Sequence, residues 1–449
     1  MLAQSQVMTP NPQTASAQPT LRRSIGLWQM ILYGTGSMLG AGIYGLIGRA
    51  AAEMGSAVWL AFLVAMVAAL LTGLSYASLG SRYPRAGGAA YVAQRAYRHG
   101  LLPRAVGLTM AAAGVTSIAA GARMISENLQ RLPWLEAWPL TALALFYVLV
   151  LAAVVYRGIR ESMWLNVLFT CVEAGGLLLV LAVGLRYWGD ANLLEFPVTA
   201  EGVSGFSLVL LIQGAVLTFY SFLGFEDSLN VAEEVKRPER TLPIGMVLGF
   251  LFTALLYIGI AITAVSVVPW RELAATGAPL AEVVARAAPW FPNDLFVLIT
   301  IIAVANTGLI NFITASRLLL GMARESHLPA ALARVHRRRR TPHVAIAVIL
   351  GVLVVLSLVG DLSQLASATV LLLLLVFTVV NVALVVLKRR AGEPTGRFEV
   401  PLPIPVLGAL VCLALFAARM VSGDWRAPAI AAGLLAAIGV FHGLTRRPH

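Results

Sequence analysis

The stretch Tyr33-Gly-Thr-Gly-Ser-Met-Leu-Gly-Ala-Gly-Ile-Tyr44 lies in the middle of the first long apolar segment, and its reading decides the fold. Its glycines are Gly34, Gly36, Gly40 and Gly42. A glycine inside a helix costs about 1 kcal/mol relative to alanine, and a helix crossing lipid must satisfy its own backbone groups. Such a run fits two roles. One is close helix packing through small residues, as in Gly36-x-x-x-Gly40. The other is a break in a membrane helix that bares N–H and C=O groups to a cavity. A second break at the matching place in a second half of the chain favours the latter.

The surrounding chain has 449 residues, 59% of them hydrophobic and 12% charged, with a mean hydropathy of +0.83. That composition excludes a soluble globular protein. Many apolar runs reach the ~20 residues that a membrane helix needs. The pattern predicts an all-α polytopic membrane protein with twelve transmembrane helices, near 25–52, 56–80, 103–129, 138–157, 163–187, 205–234, 241–268, 292–322, 343–360, 362–387, 402–421 and 427–445. The net charge of +12 would suggest nucleic acid in a soluble chain, but here the cations sit in short connections. Of the 33 Lys and Arg, 24 fall on one set of connections and 8 on the other. This asymmetry places both termini in the cytoplasm of a cell membrane protein, with membrane lipid and not nucleic acid as its surroundings. The run Arg337-Arg-Arg-Arg340 reads as a topology determinant beside anionic headgroups. Cys171 and Cys412 lie within apolar segments, which argues against a disulfide framework or a Cys metal site. Residues 1–20 are polar and read as a disordered cytoplasmic tail without the build of a signal peptide.

A second interruption falls in the sixth span, Thr218-Phe-Tyr-Ser-Phe-Leu-Gly-Phe-Glu-Asp-Ser-Leu-Asn-Val-Ala-Glu-Glu234, at Gly224. It comes five spans after the first, the interval of a five-plus-five inverted repeat with broken helices 1 and 6. The predicted domains are therefore a core over 21–390, with repeats of about 25–187 and 205–390, followed by helices 11 and 12 over 391–449. Two broken helices offer N-terminal ends that favour an anionic group and C-terminal carbonyls that favour a cation. An α-amino acid carries both charges.

These residues carry a resemblance. The chain is similar to the amino acid–polyamine–organocation transporter superfamily in Gly36-Ser-Met-Leu-Gly-Ala-Gly-Ile-Tyr44, Ser75-Tyr-Ala-Ser-Leu-Gly-Ser-Arg-Tyr-Pro-Arg-Ala-Gly-Gly88, Phe222-Leu-Gly-Phe-Glu226, Asn230-Val-Ala-Glu-Glu-Val-Lys-Arg-Pro-Glu-Arg-Thr-Leu-Pro243 and Ser316-Arg-Leu-Leu-Leu-Gly-Met-Ala-Arg324. The resemblance implies a substrate site around Ser37, Met38, Leu39, Gly40, Ala41, Gly42 and Ile43, facing Tyr220, Ser221, Phe222, Leu223 and Phe225. In it, N–H groups near Ala41 and Gly42 would hold a carboxylate. The carbonyls of Met38, Tyr220, Ser221 and Leu223 would face the amino group, and Ser37 would add a hydroxyl. Phe222 or Phe225 would close over the substrate, with ordinary bundle packing as the competing role.

Ionisable groups within the membrane are functional candidates. Glu173 lies mid-span in Asn166-Val-Leu-Phe-Thr-Cys-Val-Glu-Ala-Gly-Gly, where proton-coupled relatives often carry a lysine. It is read as the coupling residue, with a proton placed ahead of Na⁺. In the sodium reading, Thr314 or Ser316 would join it as oxygen ligands; in a structural reading, a protonated Glu173 bonds a neighbouring helix. Glu226 is read as a brace for the broken backbone of the first span or part of a proton path, and Asp227 as solvent-facing. Glu233, Glu234, Lys236, Arg237, Glu239 and Arg240 form a charged cytoplasmic end, with Arg317 as a partner for one of its acids. Asn306 reads as a bridge between helices or a pocket residue. The segment 277–292 predicts a short outer helix, either a lid or a helix lying on the bilayer.

Taken together, the sequence predicts a secondary active transporter that moves an amino acid by alternating access, proton-coupled, with no cofactor and no metal site beyond Na⁺ near Glu173. A polyamine or cationic amino acid exchanger is the alternative, followed by a channel or an intramembrane enzyme. No embedded His pair, Cys–His pair or nucleophile motif favours the enzyme, and no nucleotide-binding loop favours ATP-driven transport. Oligomeric state is not legible at this level.

Overall fold

Apolar runs of this length fold as helices because an α-helix satisfies its own N–H and C=O groups without water. The computed structural model describes residues 23, 25–85, 88–97, 101–157, 159–197, 206–324, 328–339, 341–421 and 425–445. The tail predicted over 1–20 and the cations Arg22, Arg98, Arg340, Arg446 and Arg447 lie outside the described residues, as do the side chains of Arg160 and Glu233.

In chain order the helices are α1 (Leu27–Met38), α2 (Ala41–Met54), α3 (Val58–Arg82), α4 (Gly88–Tyr97), α5 (Leu101–Leu129), α6 (Leu140–Arg157), α7 (Ile159–Gly184) and α8 (Leu208–Phe219). Two 3₁₀ segments follow α8, Tyr220–Phe222 and Phe225–Glu234. Then come α9 (Pro238–Val267), α10 (Trp270–Ala275), α11 (Pro279–Ala287), α12 (Asn293–Arg324), α13 (His343–Val359), α14 (Leu362–Arg389), α15 (Pro403–Val421) and α16 (Arg426–Thr445). The described residues form no strand, and nine of their helical segments are long and apolar enough to cross a membrane.

α5 packs against α6, α12 and α14, while α9 packs against α1 and α3. Leu149, Leu255, Val355 and Leu410, in the middles of outer helices, stay exposed, as a lipid-facing surface requires. Trp134, Trp138, Trp188, Trp290 and Trp425 are exposed near helix ends, where amphipathic rings anchor a bilayer interface.

Both short connections that bear on the bundle ends pack onto protein. The segment 277–292, predicted as an outer helix, holds α11, and α10 precedes it as a second short helix that the sequence pattern does not announce. Leu280, Val283 and Val284 of α11 are buried against α2, α7, α9 and α12, so this helix lies on the bundle and not on lipid.

The connection between α14 and α15 straps the opposite end. Glu399 accepts hydrogen bonds from Arg82 Nη2 at 3.0 Å, from the Gly396 N–H at 2.9 Å and from Lys388. Glu393 accepts from the Tyr83 hydroxyl at 2.8 Å and from Arg95 Nε at 3.0 Å. Ser81 Oγ donates to the Glu239 carbonyl at 2.8 Å and accepts from the Phe398 N–H at 3.0 Å. Thus Glu239 of the predicted charged end pairs with Arg397 at 3.5 Å. Arg317 is exposed and forms no ion pair among the described residues.

Burial acts to raise the Glu399 carboxyl, but the hydrogen bonds from Arg82, Lys388 and Gly396 outweigh it and hold it below 4.5. A carboxyl lowered in the folded state contributes fully above its unfolded value and loses that contribution as pH falls through the folded one. The strap is therefore expected to hold at neutral pH and to release below about pH 4.5. Glu399→Gln is expected to lower stability at neutral pH by about 1–3 kcal/mol, less than for a fully buried pair because Glu399 is partly solvated. Thermal unfolding in detergent reads this, and the difference between wild type and variant should vanish at acid pH.

Candidate functional site

Both breaks foreseen from the glycines are present, and they touch. α1 stops at Met38, and Leu39 and Gly40 separate it from α2. Gly40 has φ +131°, a conformation open to glycine and strained for other residues. In the second break Leu223 is extended and Gly224 takes φ +120°, after which the chain resumes as 3₁₀ helix. A Cβ on Gly224 would collide with the Ser37 carbonyl, and one on Gly42 with the Ser221 backbone. Small residues are needed here because two backbones meet.

Polar side chains close the gaps that the missing helical bonds leave. Ser37 Oγ donates to the Gly34 carbonyl at 3.0 Å or to the Gly224 carbonyl at 2.9 Å, so it links the two breaks. The Gly224 N–H donates to Glu226 Oε2 at 2.8 Å. Glu226 thus braces the second break, in which it lies, and not the first. Asp227 is buried and accepts from Asn230 Nδ2 at 3.2 Å, contrary to its expected exposure. Tyr257 of α9 donates its hydroxyl to the Met38 carbonyl at 2.6 Å. Thr307 of α12 accepts from the Ala41 N–H at 3.4 Å. As residues of the first turn of α2, Gly42 and Ile43 have N–H groups without an intrahelical acceptor.

Phe222 and Phe225 are buried within an aromatic cluster. Phe222 stacks on Phe250 at 5.6 Å and meets Tyr257 edge-on at 5.5 Å, while Phe225 lies 5.2 Å from Phe377. Beside Tyr220 a polar chain crosses three helices. The Tyr220 hydroxyl lies 2.8 Å from Ser117 Oγ, which also accepts from Asn311 Nδ2 at 3.2 Å.

Glu173 of α7 is fully buried. Its Oε2 accepts from Asn306 Nδ2 at 3.2 Å, and Asn306 also donates to Thr170 Oγ1 at 3.2 Å. Its Oε1 has no hydrogen-bond partner among the described residues. That oxygen, the Thr307 hydroxyl and the Ala303 carbonyl all approach Gly40, the pivot of the first break. The Tyr44 hydroxyl donates to the Glu173 carbonyl at 2.6 Å and fixes α2 to α7. Thr314 and Ser316 do not join this group: Ser316 Oγ donates to the Ile313 carbonyl of its own helix at 3.0 Å. Asn306 and Thr307 take the place proposed for them. Ser221 Oγ, Thr35 Oγ1 and Ser228 Oγ are further buried oxygens without a partner near the breaks. An unmet buried polar group costs about 1–3 kcal/mol, so these oxygens are the candidate contacts for a polar ligand at the breaks.

Sequence reasoning missed Tyr44, Ser117, Tyr257 and Thr307 as site residues. Tyr44 closes the quoted glycine stretch and Thr307 follows Asn306, so two of the four stood beside positions already singled out. Ser117 and Tyr257 carry no local signal.

A many-helix membrane bundle with two facing broken helices around buried, unmet polar atoms is the build of a membrane transporter. The chain belongs to the amino acid permease family, whose model matches residues 25–438. It is 30% identical over 433 residues to an uncharacterised transporter of Mycobacterium tuberculosis, covering 95% of this chain and 93% of that protein. It is 27% identical over 427 residues to a branched-chain amino acid permease of Bacillus subtilis, covering 89% of each. A chloroplastic cationic amino acid transporter of Arabidopsis thaliana is 30% identical over 354 residues, which span 73% of this chain but 60% of that longer relative.

Gly40→Ala and Gly224→Ala are each expected to lose folded protein, since strain of about 1–3 kcal/mol adds to a backbone or hydroxyl collision. Gly175→Ala, with nothing within 4 Å of its added methyl, should be neutral or slightly stabilising. Monodispersity and thermal midpoint after purification check the contrast.

Proposed function

We propose that this protein is a secondary active transporter that carries an α-amino acid across the cytoplasmic membrane by alternating access, coupled to protons through Glu173. Its twelve helical segments would all span, with α1 to α7 and α8 to α14 as inverted repeats of about 25–187 and 205–390. α15 and α16 would follow as helices 11 and 12, and both termini would lie in the cytoplasm. The observation that carries this reading is the contact of two half-helix ends with opposite polarity. The first turn of α2 presents the Gly42 and Ile43 N–H groups toward a carboxylate, while the end of the 3₁₀ turn at Tyr220–Phe222 presents carbonyls toward an ammonium group.

The side chains near this point support a neutral substrate over a polyamine or cationic amino acid. Glu226, the candidate for recognising a cation, already accepts from the Gly224 N–H. The polar chain of Ser117, Tyr220 and Asn311 is uncharged. Relatives named for branched-chain and for cationic amino acids both occur, so the family alone does not choose.

Glu173 suits a proton carrier because its carboxyl is buried, pairs with no basic side chain among the described residues, and touches the pivot of the first break. Loading and unloading a proton there would change how α7 and α12 hold Gly40. The same oxygens, with Thr307 and Ala303, also form a set that Na⁺ would accept.

In proteoliposomes, an imposed proton gradient is expected to drive accumulation of a labelled neutral amino acid. Glu173→Gln should abolish the pH dependence of uptake while substrate still raises the thermal midpoint. Unchanged pH dependence in that variant would remove Glu173 from coupling, and accumulation driven only by a sodium gradient would decide for Na⁺.

A further inference from the structure

The connection between α12 and α13 carries an arrangement that lies apart from the two breaks. Within six residues it holds Arg334, Arg337, Arg338 and Arg339, and each is exposed. Among the described residues none of the four forms an ion pair, whereas Glu239, Glu393 and Glu399 are committed to Arg397, Arg95 and Arg82. Like charges this close repel, so the loop should spread unless something holds it.

It is held. The His336 N–H donates to the Thr341 carbonyl at 2.9 Å, and the Arg339 N–H donates to His336 Nδ1 at 3.2 Å. Tyr156, at the end of α6, anchors the loop from below. Its carbonyl accepts from Thr341 Oγ1 at 3.2 Å, its ring meets His336 edge-on at 5.7 Å, and the Arg339 guanidinium lies 4.4 Å over the same ring. The His343 ring stands 5.9 Å from His336 at the first residue of α13.

The result is a bowl of about 720 Å³ lined by Arg334, Val335, His336, Arg337, Arg338 and His343, with no acid among its lining. Below it, α6 presents exposed Phe146, Leu149 and Val150, so the bowl sits where an apolar outer surface gives way to cations. We propose that this bowl binds a phosphate-bearing anion, either the headgroup of an anionic phospholipid or a soluble phosphate compound. Guanidinium groups fork around phosphate oxygens in paired hydrogen bonds, and a loop already braced on Tyr156 has little order left to gain on binding. Its placement at the inner leaflet rests on the orientation proposed above. The binding tests below read no transport, so the two readings fail separately.

The test uses the full-length protein with two probes. Phosphatidylglycerol is compared with phosphatidylcholine in mixed micelles by native mass spectrometry, and pyrophosphate is titrated against lipid-free detergent protein by thermal shift. In Arg337→Gln/Arg338→Gln, which leaves Arg339 on Tyr156, binding of the effective probe is expected to weaken at least tenfold. Selective retention of phosphatidylglycerol identifies a lipid headgroup, and a pyrophosphate shift with no lipid preference identifies a soluble phosphate. Binding of neither probe, or equal binding by wild type and variant, overturns the proposal. Should the variant fail to fold, phenylglyoxal footprinting of the wild type decides. Protection of Arg334, Arg337 and Arg338 by either probe supports the site, and equal modification with and without probe overturns it.

Discussion

Everything in this bundle depends on one constraint: a helix broken inside a membrane leaves backbone groups that no solvent can satisfy. The chain meets it by pressing two breaks together. Ser37 reaches from the first break to the Gly224 carbonyl, Glu226 satisfies the Gly224 N–H, and Tyr257 and Thr307 attend to Met38 and Ala41. Apart from Glu226, each of these groups comes from a part of the chain remote from the atom it satisfies, so the breaks are stable only inside the assembled bundle. Opposite half-helix ends thereby come to lie at one point.

The two ends of the bundle are closed by different physics. At one end, the buried face of α11 covers α2 by apolar packing. At the other end the closure is ionic and hydrogen-bonded, with Glu393 and Glu399 gathering Arg82, Tyr83, Lys388 and Arg95. The parallel bridge of Ile25 with Val235 adds backbone bonds of 2.9 and 2.8 Å between the chain entering α1 and the chain leaving the second break. The two breaks are therefore tied to each other near that end of the bundle through the backbone itself.

Much of the site was legible because its signals are local. Glycine at Gly40, Gly42 and Gly224 announced the breaks, and a lone Glu173 within an apolar run announced a buried carboxyl. Errors arose where a role depends on local backbone geometry or on a partner far along the chain. Glu226, expected to brace the first break, instead accepts from the Gly224 N–H two residues before it, a local turn closure that the 3₁₀ geometry decides. The sequence points to Thr314 and Ser316 as partners of Glu173 and gives no sign of Thr307, since the rotation of α12 about its axis cannot be read from a helix that is apolar on several sides. Asp227, expected to face solvent, is buried because its 3₁₀ segment turns it inward.

By itself the sequence determined the composition of the bundle, the places where its helices break and the residues that carry charge into its interior. These follow from hydropathy, glycine and the cost of burying a charge, which act over a few residues. Tertiary structure decided which groups meet: that Oε1 of Glu173 stands against Gly40, that Ser117, Tyr220 and Asn311 join, and that the α14–α15 connection grips Arg82. Those outcomes depend on the packing of helices dozens to hundreds of residues apart, where a turn of about 100° exchanges one partner for another.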